Sequence, residues 1–230
     1  MKNIALILAS GSGERCKLGY PKQFAKINTK TVIEHTIDAF ENHKLIDEII
    51  IVTSKDYLTK LESIIKQTKY KKVSSIIEGG ATRKDSSYNG ISQIKETECN
   101  VLIHDGVRPV ISERIITDCI NALNNKNAVC TAIESSDTIL VTNEDGIIKN
   151  IPQRKTLKRA QTPQCFKLSL IKKAHLLAKE DKNCLVTDDC GLIMHYKLEN
   201  IYTIQGDANN IKITYPEDIE FAKKYLSTNK

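Results

Sequence analysis

Five short β-branched runs, "IALIL" (4–8), "EIIIVT" (48–53), "VSSIIE" (73–78), "NVLIHD" (100–105) and "AVCTAI" (128–133), alternate with segments of helical spacing around 32–42, 55–66, 83–94 and 113–124. No other feature constrains the fold as strongly. Alternation of this kind is the βαβ signature, in which each helix supplies the crossover that parallel strands need. The expected fold is therefore α/β, a mostly parallel sheet covered on both faces.

After residue 133 the rhythm breaks. The stretch "SSDTILVTNEDGIIKNIPQR" (135–154) holds two short β-type runs, Thr138–Thr142 and Ile147–Ile151, around Asp145-Gly146, a good hairpin turn signal. Residues at about 134–156 read as a β-hairpin arm inserted in the sheet. Beyond it the spacing predicts helices near 168–178 and 187–196, a strand at 201–205, and a last helix from Pro216, whose fixed φ suits a first helical turn. No internal repeat, linker or low-complexity segment interrupts the chain, so residues 1–230 are expected to form a single domain with an arm. At 40% apolar composition it can bury a sizeable core.

Charge and cysteine usage narrow the partners. The formal net charge of +6 is spread along the chain, which points only weakly to nucleic acid and suits an anionic, phosphorylated small molecule equally well. No nucleic-acid partner is expected. Seven cysteines include no CxxC pair, and an odd number in a chain of this length reads as reduced, mostly buried thiols. The run Ile4–Ala9 is too short for a signal-peptide core, and no stretch approaches the roughly 18 apolar residues of a membrane span. A cytoplasmic location with no membrane partner is the resulting expectation.

Ligands of open parallel sheets bind outside the carboxyl ends of the strands, so the loops there are searched first. "GSGERCKLGYPKQF" (11–24) follows the first strand with Gly11, Ser12, Gly13, Arg15 and Lys22. Glycines admit phosphate oxygens to backbone N–H groups, and the two cations can neutralise the remaining charge. Spacing alone is not specific: Cys16 replaces the third glycine of a dinucleotide fingerprint, and there is no Walker lysine. A tight strand-to-helix turn with solvated cations explains the loop equally well in isolation. Two more loops join it, "EGGATRKDS" (78–86) with Gly79, Gly80, Arg83 and Ser86, and "HDGVRP" (104–109) with Asp105 and Arg108. An aspartate facing a triphosphate cradle is well placed for Mg²⁺, although Asp105 alone could be a cap and Arg108 alone a surface ion-pair partner.

"LASGSGERCKLGYPKQF", "GGATRKDS", "HDGVRP", "RAQTPQCF", "TDDC" and "NNIKIT" followed by "PED" occur in an order and spacing that resemble the cytidylyltransferases activating sugar-alcohol phosphates with CTP. The resemblance spans nearly the whole chain. It implies a Rossmann-like nucleotidyltransferase sheet with the inserted hairpin as a dimerisation arm, hence a homodimer. CTP is the implied substrate and Mg²⁺ the implied divalent cation.

Residue by residue, it implies that Gly11, Ser12 and Gly13 bind the triphosphate while Arg15, Lys22 and Lys212 act in catalysis. Gly80, Arg83 and Ser86 match the cytosine and ribose loop, and Asp105 the aspartate associated with CTP and metal. Arg108, Thr138, Arg154, Thr162, Thr187 and Lys212 match positions at the acceptor and its phosphate, Thr138 and Arg154 across a dimer interface. Cys16 departs from the family's usual methionine, a change expected to alter packing rather than chemistry.

Two sister groups share the pattern. One serves ribitol 5-phosphate, giving CDP-ribitol for capsule or teichoic acid polymers; the other serves 2-C-methyl-D-erythritol 4-phosphate in isoprenoid synthesis. Val107, Cys190, Leu140 and the arm resemble the ribitol group, whereas "DSSYNGI" and "RAQTPQCF" resemble the other. Ribitol 5-phosphate is the reading preferred at this level. A hexose-phosphate or molybdopterin nucleotidyltransferase would share the first loop without the Thr-Pro-Gln and Asn-Ile-Lys motifs. A non-catalytic nucleotide-binding module could lose Lys22, Asp105 or Lys212, all of which are present. His104 and His35 read as structural, and Cys184 with Cys190 lacks the second pair of a zinc site.

Overall fold

Asn3–Ala9 forms β1, buried at all seven positions, and its side chains alternate between two cores. Ala5, Ile7 and Ala9 enter one apolar cluster while Ile4, Leu6 and Leu8 enter the other, as the period of two in a strand requires. A computed structural model provides this fold and describes residues 1–11, 13, 16, 19–181 and 183–228. The other strands are β2 (Lys26–Ile27), β3 (Lys30–Thr31), β4 (Glu48–Thr53), β5 (Val73–Glu78), β6 (Asn100–Asp105), β7 (Ala128–Glu134), β8 (Val141–Thr142), β9 (Ile148–Asn150), β10 (Lys158–Lys167) and β11 (Tyr202–Gln205). The helices are α1 (Val32–Glu41), α2 (Leu58–Thr68), α3 (Arg83–Ser92), α4 (Glu113–Ala122), α5 (Leu168–Glu180), α6 (Asp189–His195) and α7 (Pro216–Thr228).

Seven strands make the central sheet in the order β11-β7-β10-β6-β1-β4-β5. All neighbours pair in parallel except β10, which runs antiparallel to both β6 and β7. Helices α1, α2 and α4 cover one face through Ile33, Ile37, Phe40, Leu61, Ile115 and Ile116. On the other face α3, α5 and α6 contribute Ile91, Ile171, Ala174, Leu192 and Ile193. The expected α/β class and mostly parallel sheet are present.

α3 lies close to the sheet because Gly90 has no side chain: a Cβ there would stand 2.4 Å from Leu6 Cδ1 and 2.8 Å from Val52 Cγ2. α7 closes a third cluster with Ile27, Val32, Val107 and Ile213.

β10 was not among the predicted strands. Its central Thr162-Pro163 and its Lys, Arg and Gln content argue against a buried strand, since proline cannot donate to a ladder. The ladder accommodates it by a register shift against β7 between Ala160 and Gln164. The inserted hairpin is present as β8 and β9, shorter than its two β-type runs, with Gly146 at φ +80 in the turn. Ile139, Leu140, Val141, Ile147, Ile148 and Ile151 on it are exposed.

Among the described residues the seven cysteines are free thiols, six of them buried and Cys190 half-buried. No described helix is long and apolar enough to cross a membrane.

Candidate active site

At the carboxyl ends of β1, β5 and β6 the chain leaves a cleft of about 640 Å³. β1 is flanked by β4 on one side and β6 on the other, so the cleft opens where the order of connection reverses. Gly11, Gly13, Lys22, Gly80, Arg83, Ser86, Asp105 and Lys212 line it, eight of the residues anticipated from sequence. Ser12 and Arg15 lie outside the described residues.

Local chemistry shapes each wall. Gly13 adopts φ +76, and a Cβ there would stand 3.1 Å from Lys22 N, so backbone conformation and space both require glycine. Lys22 begins a 3-10 turn, Lys22–Phe24, that is held to β1 by its neighbour: Gln23 Nε2 donates to Ala9 O (2.8 Å) and Gly11 O (3.1 Å). Although buried, the Lys22 side chain reaches the cleft. Opposite, Thr82 caps α3 in a capping box with Asp85, and a Cβ on Gly80 would meet Asp85 Cβ at 2.3 Å. Ser86 Oγ accepts from Gly80 N at 3.1 Å, which fixes the glycine loop over the cleft.

Asp105 is the acidic residue among those that line the cleft, and three cations converge on it. Lys212 Nζ stands 2.9 Å from Oδ2, Arg108 Nε 3.5 Å from Oδ2, and Arg83 Nε 3.5 Å from Oδ1. Burial pushes the carboxyl up, but Lys212, Arg83 and Arg108 outweigh it and hold it well below the usual carboxylate range. It is an anion at any pH where the protein would work.

The residues matched to the acceptor are dispersed. Arg108 is buried beneath Asp105 and donates from Nη1 to Asn210 O at 2.7 Å. Thr162 is buried as well, its Oγ1 accepting from Asp105 N (3.1 Å) and donating to His104 Nδ1 (3.0 Å). Both side chains therefore support Asp105 from below. Thr138 and Arg154 pair on the arm, Arg154 Nη2 donating to Thr138 Oγ1 at 3.0 Å, and neither lines the cleft. Thr187 is exposed just ahead of α6.

His104 is structural, as expected. Its Nε2 faces Arg108 O at 3.2 Å, so the proton belongs there and Nδ1 accepts from Thr162. Burial lowers its pKa to about 4, against backbone bonding to Arg108 and the charge of Asp105. Below about pH 6.5 the unfolded chain binds a proton here that the folded chain refuses. Stability is therefore lost as pH falls from 6.5 to about 4, by roughly 3 kcal/mol. Unfolding free energies from urea titrations at pH 7 and pH 4 should show a drop that is smaller by about this amount in His104→Gln.

His35, on α1, bonds Ile27 O at 3.0 Å. Cys184 gathers with Asp181 and His195, whose ligand atoms lie within 4.8 Å of one another. Spacing gave no sign of that group, in which His195 and Tyr196 bond to Asp181.

Glycine loops and cations gathered around Asp105 at the carboxyl ends of such a sheet define the nucleotidyltransferase class. The chain belongs to the family described as IspD, 2-C-methyl-D-erythritol 4-phosphate cytidylyltransferase, whose model matches residues 3–228. Family members use CTP. A Haemophilus influenzae protein, the bifunctional ribulose 5-phosphate reductase/CDP-ribitol pyrophosphorylase Bcs1, is 42% identical over 99% of this chain, which spans 48% of that longer protein. The 2-C-methyl-D-erythritol 4-phosphate cytidylyltransferase of Clostridium perfringens strain SM101 is also 42% identical, over 98% of this chain and 99% of its own. The crystal structure of 4-diphosphocytidyl-2C-methyl-D-erythritol synthase from Anaerococcus prevotii is similar with a TM-score of 0.87 and 34% identity, covering 98% of both chains.

Proposed function

We propose that this chain transfers CMP from CTP to a polyol phosphate and releases pyrophosphate. The observation that carries the reading is the cleft itself, where Lys212 and Arg83 pair with Asp105 and Lys22 joins them in lining the space beside two glycine loops. A polyol phosphate has a second pKa of about 6, so near pH 7 it is largely dianionic and its oxygen attacks the α-phosphorus without a strong general base. The protein's work is to position two anions and neutralise their charge.

Gly11, Ser12 and Gly13 hold the triphosphate in this reading, and Lys22, with Arg15, meets the oxygens of the α-phosphate as pyrophosphate leaves in line. Gly80, Arg83 and Ser86 take the nucleoside. Lys212 draws the acceptor phosphate in. Thr187 and, from a partner subunit's arm, Thr138 and Arg154 orient it, while Arg108 and Thr162 hold Asp105 in place.

The donor set fits Mg²⁺: Asp105 is one hard carboxylate in a cleft whose remaining ligands would be substrate phosphates, the usual arrangement for that ion. Lys212, on a half-exposed and flexible stem, is the partner of Asp105 that can give place to it. The ion would supply charge neutralisation at the phosphates.

For the acceptor we take ribitol 5-phosphate, supported by Val107, Leu140, Cys190 and the 42% identity to the Haemophilus protein. 2-C-methyl-D-erythritol 4-phosphate is the second reading, favoured by the family's own description and by an equal identity to the clostridial enzyme. One pyrophosphate-release assay with CTP and Mg²⁺ decides between them. Ribitol 5-phosphate is expected to give the higher kcat/KM; a higher value for the methylerythritol phosphate reverses the assignment, and turnover with ATP or UTP but not CTP ends the cytidylyl reading. The exposed apolar arm supports a homodimer, and sedimentation of a monomer in that preparation would remove the shared site.

A further inference from the structure

Asp189, the first residue of α6, is 1% exposed and is bonded on every side. Oδ1 accepts from Ser87 Oγ (2.6 Å) and His175 Nε2 (3.1 Å), while Oδ2 accepts from Arg83 Nη1 (2.7 Å). The backbone N–H groups of Asp189 and Cys190 donate to Gln164 Oε1, each at 3.1 Å. Gln164 Nε2 donates in turn to Asp188 Oδ2 at 2.7 Å. One residue thus joins α3, α5, α6 and β10.

Its two oxygens divide the work. One is spent on anchors from α3 and α5; the other reaches Arg83, which lines the cleft and stands between Asp189 and Asp105. Burial would raise the Asp189 carboxyl, but Arg83 and the bonds from His175 and Ser87 bring it to about 2, so the ion pair is intact at neutral pH. Arg83 Nη2 makes no hydrogen bond among the described residues, and Arg83 lines the cleft. A buried carboxylate is a costly way to join helices when packing alone would do it. Aiming a guanidinium is a task for which apolar side chains do not serve.

We infer that Asp189 is a positioning residue: it aims Arg83 at the bound nucleoside triphosphate, and its backbone bond to Gln164 ties the start of α6 to β10. The inference rests on the reading of the cleft proposed above.

A double-mutant cycle on CTP binding, read by calorimetry with Mg²⁺ and no acceptor, tests it. Asp189→Asn is expected to raise the CTP dissociation constant about tenfold or more, the loss typical of a charge-assisted bond. In an Arg83→Gln background the same change should add little, because its effect runs through Arg83. Additive effects in the cycle would overturn the inference.

In the pyrophosphate assay Asp189→Asn should raise the CTP KM beyond its effect on kcat, and Asp189→Glu should restore CTP affinity in large part. A merely structural role would leave the KM-to-kcat balance unmoved. If Asp189→Asn does not fold, His175→Gln loosens one anchor without touching Arg83; a CTP affinity unchanged by it counts against the inference. Should the wild-type protein bind CTP but turn over neither polyol phosphate, the acceptor reading falls while the binding cycle still decides the role of Asp189. Should another nucleoside triphosphate bind instead, the cytidylyl reading falls and the cycle is run with that nucleotide.

Discussion

Lys22→Ala is expected to lower kcat by two to three orders of magnitude, about 3–4 kcal/mol of transition-state free energy, with the fold retained. The lysine is 7% exposed, fixed on a short turn where Gln23 bonds Ala9 O at the end of β1 and Gly11 O in the loop, and it opens onto the cleft. A cation so placed costs no reorganisation when charge builds on the transferred phosphoryl group. Its loss should therefore fall on kcat more than on CTP affinity. Lys22→Arg is not expected to restore the rate, since at a position only 7% exposed a wide planar guanidinium does not take the place of a compact ammonium. Steady-state pyrophosphate release and a thermal melt on the same samples check both parts. An unchanged kcat would remove Lys22 from the chemistry.

Asp105→Asn is expected to damage activity and stability together. Three cations share its carboxylate, and the variant leaves Arg83, Arg108 and Lys212 facing one another around a neutral amide. Breaking a buried charge cluster on one side typically costs about 3–5 kcal/mol, and Lys212, being half exposed, relieves part of that by turning to solvent. Turnover should fall more than a hundredfold, with the Mg²⁺ concentration needed for half-maximal rate rising. A variant as stable and as active as the wild type would mean that Asp105 holds neither the cations nor the ion.

Much of this was legible in the chain because it is local. Strands with unbroken apolar runs, glycines after strands, and the Asp145-Gly146 turn each state a nearby physical demand, and the sheet and the glycine loops of the cleft follow from them, while Lys212 is placed there by the resemblance alone. What escaped was non-local or disguised. β10 hides behind Pro163 and a polar composition. "TDDC" was recognisable as a motif, yet nothing in it shows that Asp189 meets Arg83, 106 residues away, or His175 on α5. The resemblance assigns Arg108 and Thr162 to the acceptor, whereas in the fold Arg108 Nη1 bonds Asn210 and Thr162 Oγ1 bonds Asp105 and His104. Nothing in the first loop's sequence marks Gln23, whose bond to Ala9 O exists only once that loop has closed on β1.

The hairpin leaves and rejoins the sheet through neighbouring strands, with Glu134 directly opposite Lys158, and its own two strands pair only with each other. Such a segment is a cassette with a single seam. Residues 135–157 can be exchanged for the corresponding stretch of a relative without cutting through either buried core, so the arm can be replaced while the cleft stays in place.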